Sequence, residues 1–409
     1  MQTARKLLGN VGSHFRVVTL LASLLALGLY VYTVRPGLAG TADTYHYLSA
    51  AYNLQTKGQL LLANGGAFRW WPPLFVVVLS VIGAASGVLW LNGLALLGSL
   101  VAWSAVGYRL LPAGRAWALP LLLALSSPTL AVSKFIWSEP LFNLLWASYF
   151  LVVLAWLRRG GWGLGLLATA LGCLLPLQRI VGIFLVAGVG AGLAWAGAGS
   201  RRLVRPSALM QAAHLLGAGS GLLAWQLRHS LSVSDGVGPR LSLPQAAADY
   251  GFVLGRWLVP LPTALLELVP SGLWLLLLLA LLLLLWPRPA PQQPGGHWPQ
   301  AWVLVSSRVL YMACLAMLAA LILSVMRARA GHGLQEAERY ATALYPPVVL
   351  LVLLAWPSKW HWAVKLGPGL LGAWLLYQAA RVGHSSQQLH QVRPIELNYP
   401  HPAAWWETR

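Results

Sequence analysis

Long apolar runs separated by short polar stretches dominate the sequence. A helix that spans a lipid bilayer needs about 20 consecutive, mostly apolar residues, and eleven runs approach or exceed that length. Since no internal repeat and no soluble domain accompany them, they predict an all-α polytopic membrane protein. The predicted membrane-spanning helices cover residues 17–34, 88–108, 116–132, 138–157, 162–177, 180–198, 206–226, 270–286, 301–325, 344–357 and 363–380.

The first long polar stretch, residues 35–72, carries a different pattern. From Asp43 to Lys57 apolar residues recur at helical spacing, and Gly58 follows as a stop signal. This pattern predicts an amphipathic juxtamembrane helix that lies along the membrane surface. The next apolar run, Pro73–Ala85, is shorter than a span requires, so we expect a re-entrant or interfacial helix there.

The composition supports a membrane protein. Apolar residues make up 58% of the chain and charged residues only 9%, whereas soluble domains carry about 25% charged residues. The net charge of +19 fits anionic lipid headgroups or a phosphate-bearing substrate. Nucleic acid is not expected as a partner, because the basic residues form short clusters between apolar runs. Cys173 and Cys314 both lie in apolar runs, so no disulfide framework is expected.

The charge distribution predicts an orientation. When the N-terminus is placed in the cytoplasm, the short connections on the inner side are basic and contain no acid, as the positive-inside rule requires. All acids then lie outside or at the outer boundary, so we expect the chemistry on the outer face. These acids are Asp43, Glu139, Asp235, Asp249, Glu267, Glu336, Glu338, Glu396 and Glu407.

The same topology gives a domain organisation. Residues 1–380 form one transmembrane domain, and residues 381–409 form a short polar tail on the outer side. Within the transmembrane domain, longer outer loops are expected at residues 35–72, 227–269 and 326–343.

Two acids at predicted helix starts are candidate catalytic groups. Asp43 opens the amphipathic helix and shares a face with His46 and Tyr47; it either caps the helix or acts as a catalytic carboxylate. Glu139 precedes Pro140 at the outer start of a spanning helix, where it either complements the helix dipole or marks a functional site. Two such carboxylates can share one site, as general base and as orienting partner or metal ligand.

Basic residues near the outer loops are candidates for binding phosphate. Arg179 separates two apolar runs, where it either anchors the chain at headgroup level or faces a ligand. Guanidinium groups bind phosphate through paired hydrogen bonds, although the late arginines also have two acids nearby that can compensate them in a solvated loop. The late candidates are Arg327, Arg329, Arg339, Tyr340 and Tyr345.

Several common catalytic motifs do not occur in the sequence. It has no Walker A motif, no HExxH and no GxSxG, so nucleotide hydrolysis, zincin and serine-hydrolase chemistry lack support. The ten histidines are dispersed and specify no metal. The sequence therefore identifies no metal ligands. A divalent cation held by the carboxylates is compatible with it, and no other cofactor is expected.

Taken in chain order, these motifs resemble the GT-C superfamily of membrane glycosyltransferases, which take a sugar from a polyprenyl-phosphate carrier. Lipid A aminoarabinose transferases and protein O-mannosyltransferases belong to this superfamily. The pieces that carry the resemblance across nearly the whole chain are Asp43 opening the amphipathic helix, the apolar segment that begins at Pro72-Pro73, Glu139-Pro140, Arg179 before Ile-Val-Gly, and Arg339-Tyr340 before Tyr345-Pro346-Pro347.

The sequence also departs from the pattern of the superfamily. Thr44 follows Asp43 where many members have a second acid, and Trp70 and Trp71 stand where some have an acid before the proline segment. Residues 381–409 replace the large C-terminal outer domain of some members. Metal or second-carboxylate roles at those positions therefore do not carry over.

The resemblance implies a GT-C-like catalytic domain in a multi-pass protein of the bacterial inner or plasma membrane, with the active site facing the periplasm or the exterior. Asp43 would be the general base, and Glu139 would orient the acceptor or a bound cation. Arg179 and Arg339 would hold the departing phosphate. Further substrate contacts would come from His46, Tyr47, Arg327, Arg329, Tyr340 and Tyr345.

The implied partners are a polyprenyl-phosphate-linked sugar as donor, a glycan, lipid or protein as acceptor, and membrane lipids. A groove near residues 72–85 would admit the polyprenyl tail, and inversion at the anomeric carbon follows from the resemblance. Three alternatives stay open: a lipid or sugar transporter or flippase, an O-antigen-type polymerase or ligase, and a non-catalytic membrane scaffold. A transporter often shows repeats and mid-membrane charges, whereas here no repeat is visible and Arg308 is the only charge near the middle of a predicted span.

Overall fold

The computed structural model describes residues 2–69, 71–83, 85–200, 204–229, 241–288, 299–327, 334–356 and 361–395. Within these ranges the backbone is almost entirely helical, and its only β pairing consists of two isolated bridges. The prediction of an all-α protein is therefore confirmed. The helices are α1 (Gln2–Val34), α2 (Ala42–Lys57), α3 (Leu74–Ile82), α4 (Ala85–Leu110), α5 (Ala113–Ala116), α6 (Ala118–Ala124), α7 (Ser127–Lys134), α8 (Glu139–Arg159), α9 (Trp162–Gln178), α10 (Gly182–Ser200), α11 (Ala208–His229), α12 (Leu243–Leu258), α13 (Thr263–Leu266), α14 (Ser271–Leu284), α15 (Gln300–Arg327), α16 (Leu334–Ala341), α17 (Tyr345–Ala355) and α18 (His361–Gln391).

Every predicted span overlaps at least one helix among the described residues. The protein is a membrane protein. Six helical stretches are long and apolar enough to cross a bilayer, while α9, the apolar part of α10 and α14 are shorter. The number of crossings, predicted as eleven, therefore stays a prediction. The six stretches are Ser13–Val34, Ala85–Leu110, Ala113–Lys134, Glu139–Arg159, Gln300–Met326 and Ala337–Ala355.

The predicted span 116–132 is not one continuous helix. The chain leaves helical geometry at Ser126, whose ψ is 100°, and Ser126 then caps α7 by accepting a hydrogen bond from the Thr129 N–H at 3.3 Å. Pro128 lies in the first turn of α7, where a missing N–H costs nothing. Serine followed closely by proline is thus a helix-start signal inside an apolar run.

A second difference lies in residues 227–269, which we expected as an outer loop. This stretch contains α12, which begins after Ser242, and the Gln245 side chain accepts a hydrogen bond from the Ser242 N–H at 3.0 Å. The capping box and the apolar spacing of Tyr250, Val253 and Trp257 were visible in the sequence. The helix is partly amphipathic, so the criterion of about 20 consecutive apolar residues for a membrane span did not detect it.

Glycines allow close helix packing in the bundle. A Cβ atom on Gly188 of α10 would lie 2.5 Å from the carbonyl oxygen of Met312 in α15, and one on Gly192 would lie 2.5 Å from the Val309 Cα. These two glycines are four residues apart and form a GxxxG face, the pattern that lets membrane helices approach backbone to backbone. The α10–α15 contact therefore depends on small residues.

Lys134, at the end of α7, fixes the chain just before the candidate site. Its side chain is fully buried, and Nζ donates to the carbonyl oxygens of Thr33 and Gly37 at 2.8 Å each. The two acceptors lie at and just beyond the C-terminus of α1. Because a helix C-terminus presents unpaired carbonyls and partial negative charge, the ammonium group joins the end of α1 to the start of the first polar stretch.

Replacing Lys134 with methionine is expected to destabilise this junction. Two carbonyls would lose a donor, and each buried acceptor left without a partner costs about 1–3 kcal/mol. We expect a clear fall in the midpoint of thermal unfolding in detergent micelles. Lys57→Met, at an exposed position of α2, is the matched control. An unchanged midpoint for Lys134→Met would mean that the ammonium contacts do not support the fold.

Candidate active site

The N-terminus of α2 is capped by threonines, and Asp43 is not the cap. Thr41 adopts extended geometry as the N-cap, and its N–H donates to Oγ1 of Thr44 at 3.1 Å. Thr44 Oγ1 donates in turn to the Ile136 carbonyl oxygen at 3.0 Å, and Trp137 Nε1 donates to Thr41 Oγ1 at 2.9 Å. These bonds fasten the start of α2 to the segment before α8 and leave the Asp43 carboxylate for other partners.

The segment between α7 and α8 brings Glu139 beside the first turn of α2. Ala39 and Phe135 form a parallel bridge, in which the Ala39 N–H donates to the Lys134 carbonyl at 3.0 Å and the Ile136 N–H donates to the Ala39 carbonyl at 3.1 Å. Glu139 then begins α8 and is buried, with 2% of its surface exposed. A buried carboxylate requires partners, because an isolated charge in an apolar interior is costly.

Two arginines from distant parts of the chain supply those partners. Arg179, which follows α9, forms an ion pair with Glu139 Oε1 through Nη1. Arg339 of α16 contacts the same Oε1 through Nε at 2.5 Å, and its Nη1 reaches Asp43 Oδ2 at 2.8 Å. Asp43, Glu139, Arg179 and Arg339 therefore form one cluster, which we call the carboxylate–guanidinium cluster.

Aromatic rings surround the guanidinium groups of the cluster. The Cζ atom of Arg339 lies 4.0 Å from the centre of the Trp137 ring, and the Tyr340 ring lies 5.1 Å from Arg179 Cζ and 5.3 Å from Arg339 Cζ. Rings at these distances favour a cation through their negative faces. They fix the guanidinium planes without adding another charge.

The cluster is open to solvent mainly at one carboxylate. The side chains of Glu139 and Arg339 are 3% and 5% exposed, that of Arg179 is 14% exposed, and that of Asp43 is 24% exposed. With two acids and two arginines its formal charge is balanced. A ligand can therefore reach Asp43 directly, while Glu139 is held behind the arginines.

Comparison with solved structures connects this geometry to a known fold. Neither a protein-family model nor a curated protein sequence matches the chain. ArnT from Cupriavidus metallidurans in the apo state matches with a TM-score of 0.51 and 15% identity, covering 91% of this chain and 77% of ArnT. ArnT bound to undecaprenyl phosphate matches with a TM-score of 0.50 and 13% identity, covering 91% of this chain and 76% of ArnT. ArnT is a GT-C lipid A aminoarabinose transferase.

The chain has the GT-C fold. At this level of identity the similarity establishes the arrangement of helices, and the resemblance predicted from the ordered motifs is confirmed to that extent.

Two aromatic candidates of the first polar stretch lie beside the cluster in this GT-C fold. Tyr47 is buried one turn after Asp43; burial raises the pKa of its hydroxyl, and the carboxylates of Glu139 and Asp43 raise it further. At neutral pH the hydroxyl is thus protonated. His46 stacks on Trp71, with ring centres 5.1 Å apart. His46 is half-buried, whereas the Tyr47 side chain is buried.

Tyr345, in contrast, is not brought to the cluster. Its side chain is fully buried, its hydroxyl donates to the Leu122 carbonyl oxygen at 2.9 Å, and its ring packs edge-on against Trp257. Its position is that of a core residue joining α17 to α6. The side chain of Arg327, and all of Arg329, lie outside the described residues.

Tyr250 of α12 is a residue of the site region that the sequence analysis missed. It is fully buried, and its hydroxyl has no hydrogen-bond partner among the described residues. Burial raises the pKa of this hydroxyl, Tyr340 and Asp249 raise it further, and Arg179 opposes them. Its helix packs on α16, the helix that carries Arg339 and Tyr340. Because residues 227–269 were expected as a loop, nothing in the sequence pattern connected Tyr250 with Arg179.

The residues of the cluster do not fit a metal site as they are placed. Both acids already contact Arg339, and no group of three His, Cys, Asp or Glu side chains suited to a metal ion occurs in the described ranges. A cation bound between Asp43 and Glu139 would have to displace a guanidinium group. We therefore derive no step through a metal.

Proposed function

We propose that this chain is an integral membrane glycosyltransferase that moves a sugar from a polyprenyl-phosphate carrier to an acceptor hydroxyl. The observation that carries the proposal is the cluster itself, where a partly exposed carboxylate lies beside a buried arginine and a half-buried one. The GT-C fold and the similarity to an ArnT structure that holds undecaprenyl phosphate support a lipid-linked donor.

The chemistry assigned to Asp43 is that of a general base. Its partly exposed carboxylate accepts the proton of the acceptor hydroxyl while the hydroxyl oxygen attacks the anomeric carbon. The bond from that carbon to the phosphate oxygen breaks, and the electron pair stays on the polyprenyl phosphate. Attack from the face opposite the phosphate inverts the anomeric configuration.

The two arginines stabilise the phosphate as its negative charge grows. Hydrogen-bond donors placed before the reaction at such a position lower the barrier, because they need no reorganisation. Arg339 Nη1 contacts Asp43 in this structure, so the incoming phosphate replaces Asp43 as the partner of that nitrogen. The exchange frees the carboxylate to act as base once the donor is bound.

Glu139 is assigned the role of positioning the two arginines. Its Oε1 contacts both Arg179 and Arg339 and its side chain is almost completely buried, so it holds the two guanidinium groups in place. This assignment differs from the sequence-based expectation that Glu139 orients the acceptor or a cation. It follows from contacts that link residues 200 positions apart.

The lipid tail of the donor is assigned to the region of α3. This helix packs on α2, and Val77 and Val81 are 40% and 79% exposed. Apolar side chains at the surface of a membrane protein can contact the polyprenyl chain as readily as bilayer lipid. The site is assigned to the extracytoplasmic side, as the charge distribution predicts, and the membrane to the bacterial inner membrane, as the GT-C resemblance implies. The acceptor is a glycan, a lipid or a protein.

Transfer of labelled sugar from defined donors tests this proposal. The protein in liposomes is expected to move one sugar from a polyprenyl-phosphate sugar to an acceptor from the bacterial envelope, and to release polyprenyl phosphate in equal amount. Donors with different sugars identify the substrate. Addition of a preassembled glycan would indicate a polymerase or ligase, and movement of intact donor across the bilayer without transfer would indicate a flippase.

A further inference from the structure

Glu338, next to Arg339 in α16, is held by donors from two other helices. Arg256 Nη1 contacts its Oε2 at 2.9 Å, and Arg381 Nη2 contacts its Oε1 at 2.8 Å. Trp257 Nε1 also donates to Oε1, at 3.1 Å. We call Glu338 with Arg256, Trp257 and Arg381 the Glu338 clamp.

One stripe of α18 completes the clamp. Trp374, Gln378 and Arg381 recur at intervals of four and three residues and therefore share a face of the helix. Trp374 Nε1 and Gln378 Nε2 donate to the Trp257 carbonyl oxygen at 3.2 and 2.6 Å, and Arg381 Nη1 donates to that of Arg256 at 2.7 Å. These carbonyls lie at the C-terminus of α12, where they have no partner within that helix. Helices α12 and α18 thus form a fixed frame around Glu338.

The clamp and the carboxylate–guanidinium cluster meet at two neighbouring residues of α16. Helix α16 has eight residues and is joined by the 3₁₀ turn Thr342–Leu344 to the buried helix α17, and the contacts of Glu338 with α12 and α18 oppose a rotation of α16 about its axis. Consecutive residues of a helix point about 100° apart. Glu338 accordingly faces α12 and α18, while Arg339 faces Asp43 and Glu139.

We propose that Glu338 is a positioning residue that fixes the rotation of α16 and thereby aims Arg339 at Asp43 and Glu139. This inference rests on the proposed function. The guanidinium group must meet two carboxylates at 2.5 and 2.8 Å, so a small rotation of α16 would lengthen these hydrogen bonds and weaken them. Glu338 acts only through Arg339 and touches no substrate.

The variant Glu338→Gln tests the inference by removing the charge at constant size. We expect kcat/KM for the donor to fall by about 100-fold, the loss typical of a misplaced catalytic group, while KM for the acceptor stays unchanged. Tyr377→Phe is the matched control on α18, because it removes only the 2.8 Å hydrogen bond to the Leu261 carbonyl oxygen. The control is expected to keep its activity.

A double-mutant comparison separates positioning from a general structural effect. The Arg339→Lys variant lacks the guanidinium group that Glu338 is proposed to aim. Adding Glu338→Gln to this variant should therefore lower kcat/KM by no more than about twofold, which is the usual error of such comparisons. The same 100-fold loss in both backgrounds, or full activity of Glu338→Gln in the wild-type background, would overturn the inference.

Hydrogen exchange of the α16 amides provides a readout that does not depend on transfer. Glu338→Gln is expected to speed exchange in residues 334–341, and Glu338→Asp, which keeps the charge, is expected to restore part of the protection. Unchanged exchange in Glu338→Gln would refute the positioning role whatever reaction the protein catalyses. Faster exchange in a protein that transfers no sugar would instead contradict the proposed function and leave the clamp in place.

Discussion

Replacing Asp43 with asparagine is expected to reduce sugar transfer by about 10²–10⁴-fold, the contribution usual for a general base. Asparagine has the same size, and its amide oxygen can still accept the hydrogen bond from Arg339, so the fold should be unaffected. It cannot accept a proton from the acceptor hydroxyl. Initial rates with labelled donor measure the loss, which should appear in kcat while KM for the donor stays equal or falls.

The expected fall in KM has its origin in the ion pair between Asp43 and Arg339. When the carboxylate becomes a neutral amide, Arg339 Nη1 is held less firmly and is more available to the donor phosphate. Glu267→Gln is a suitable control, because Glu267 is exposed and has no ion pair among the described residues. An Asp43→Asn protein with wild-type kcat would show that another group takes the proton.

Replacing Arg339 with alanine is expected to be the second severe change. Loss of a preorganised donor at a developing charge costs about 10²–10³-fold in rate. Asp43 also loses its ion-pair partner, and Glu139 loses one of two. Because hydrogen bonds to charged groups contribute about 1.5–3 kcal/mol, the variant should also unfold at a lower temperature in detergent. Binding of undecaprenyl phosphate should weaken.

The variant Arg339→Lys separates charge from geometry at the same position. Lysine keeps the positive charge, but its single ammonium group cannot present a planar fork to two carboxylates. We therefore expect it to keep most of the stability and only part of the activity. A protein with Arg339→Ala that binds undecaprenyl phosphate as tightly as wild type would contradict the phosphate contact assigned to Arg339.

The helices were largely predictable, because their signals are local. An apolar run reports its own length and hydropathy, and each of the eleven runs overlaps a helix among the described residues. The failures were also local in origin. The span near Ser126 was drawn through a helix start, and α12 was overlooked because its 16 residues are too few for a membrane span and include Asp249 and Arg256.

The sequence predicted which residues are candidates for the site, and it did not predict which of them contact one another. Asp43, Glu139, Arg179 and Arg339 were selected because the charge pattern placed them on one side, and the structure brings all four together. The same criterion selected Tyr345, which the structure places in the core against Leu122. The predicted side of the membrane limits how far along the helix bundle a residue can lie. It does not determine the direction in which the side chain points.

The sequence by itself determined the fold class, the first amphipathic helix and the small group of charged residues from which a site can be built. Only the tertiary structure decided that Thr41 caps α2, that Arg339 joins Asp43 to Glu139, and that a clamp on Glu338 holds the helix carrying Arg339. The physical reason is the separation in sequence of the residues that interact. Helix formation depends on neighbours within a few residues, whereas these contacts join groups up to 200 or more positions apart and exist only because helix packing brings the segments together.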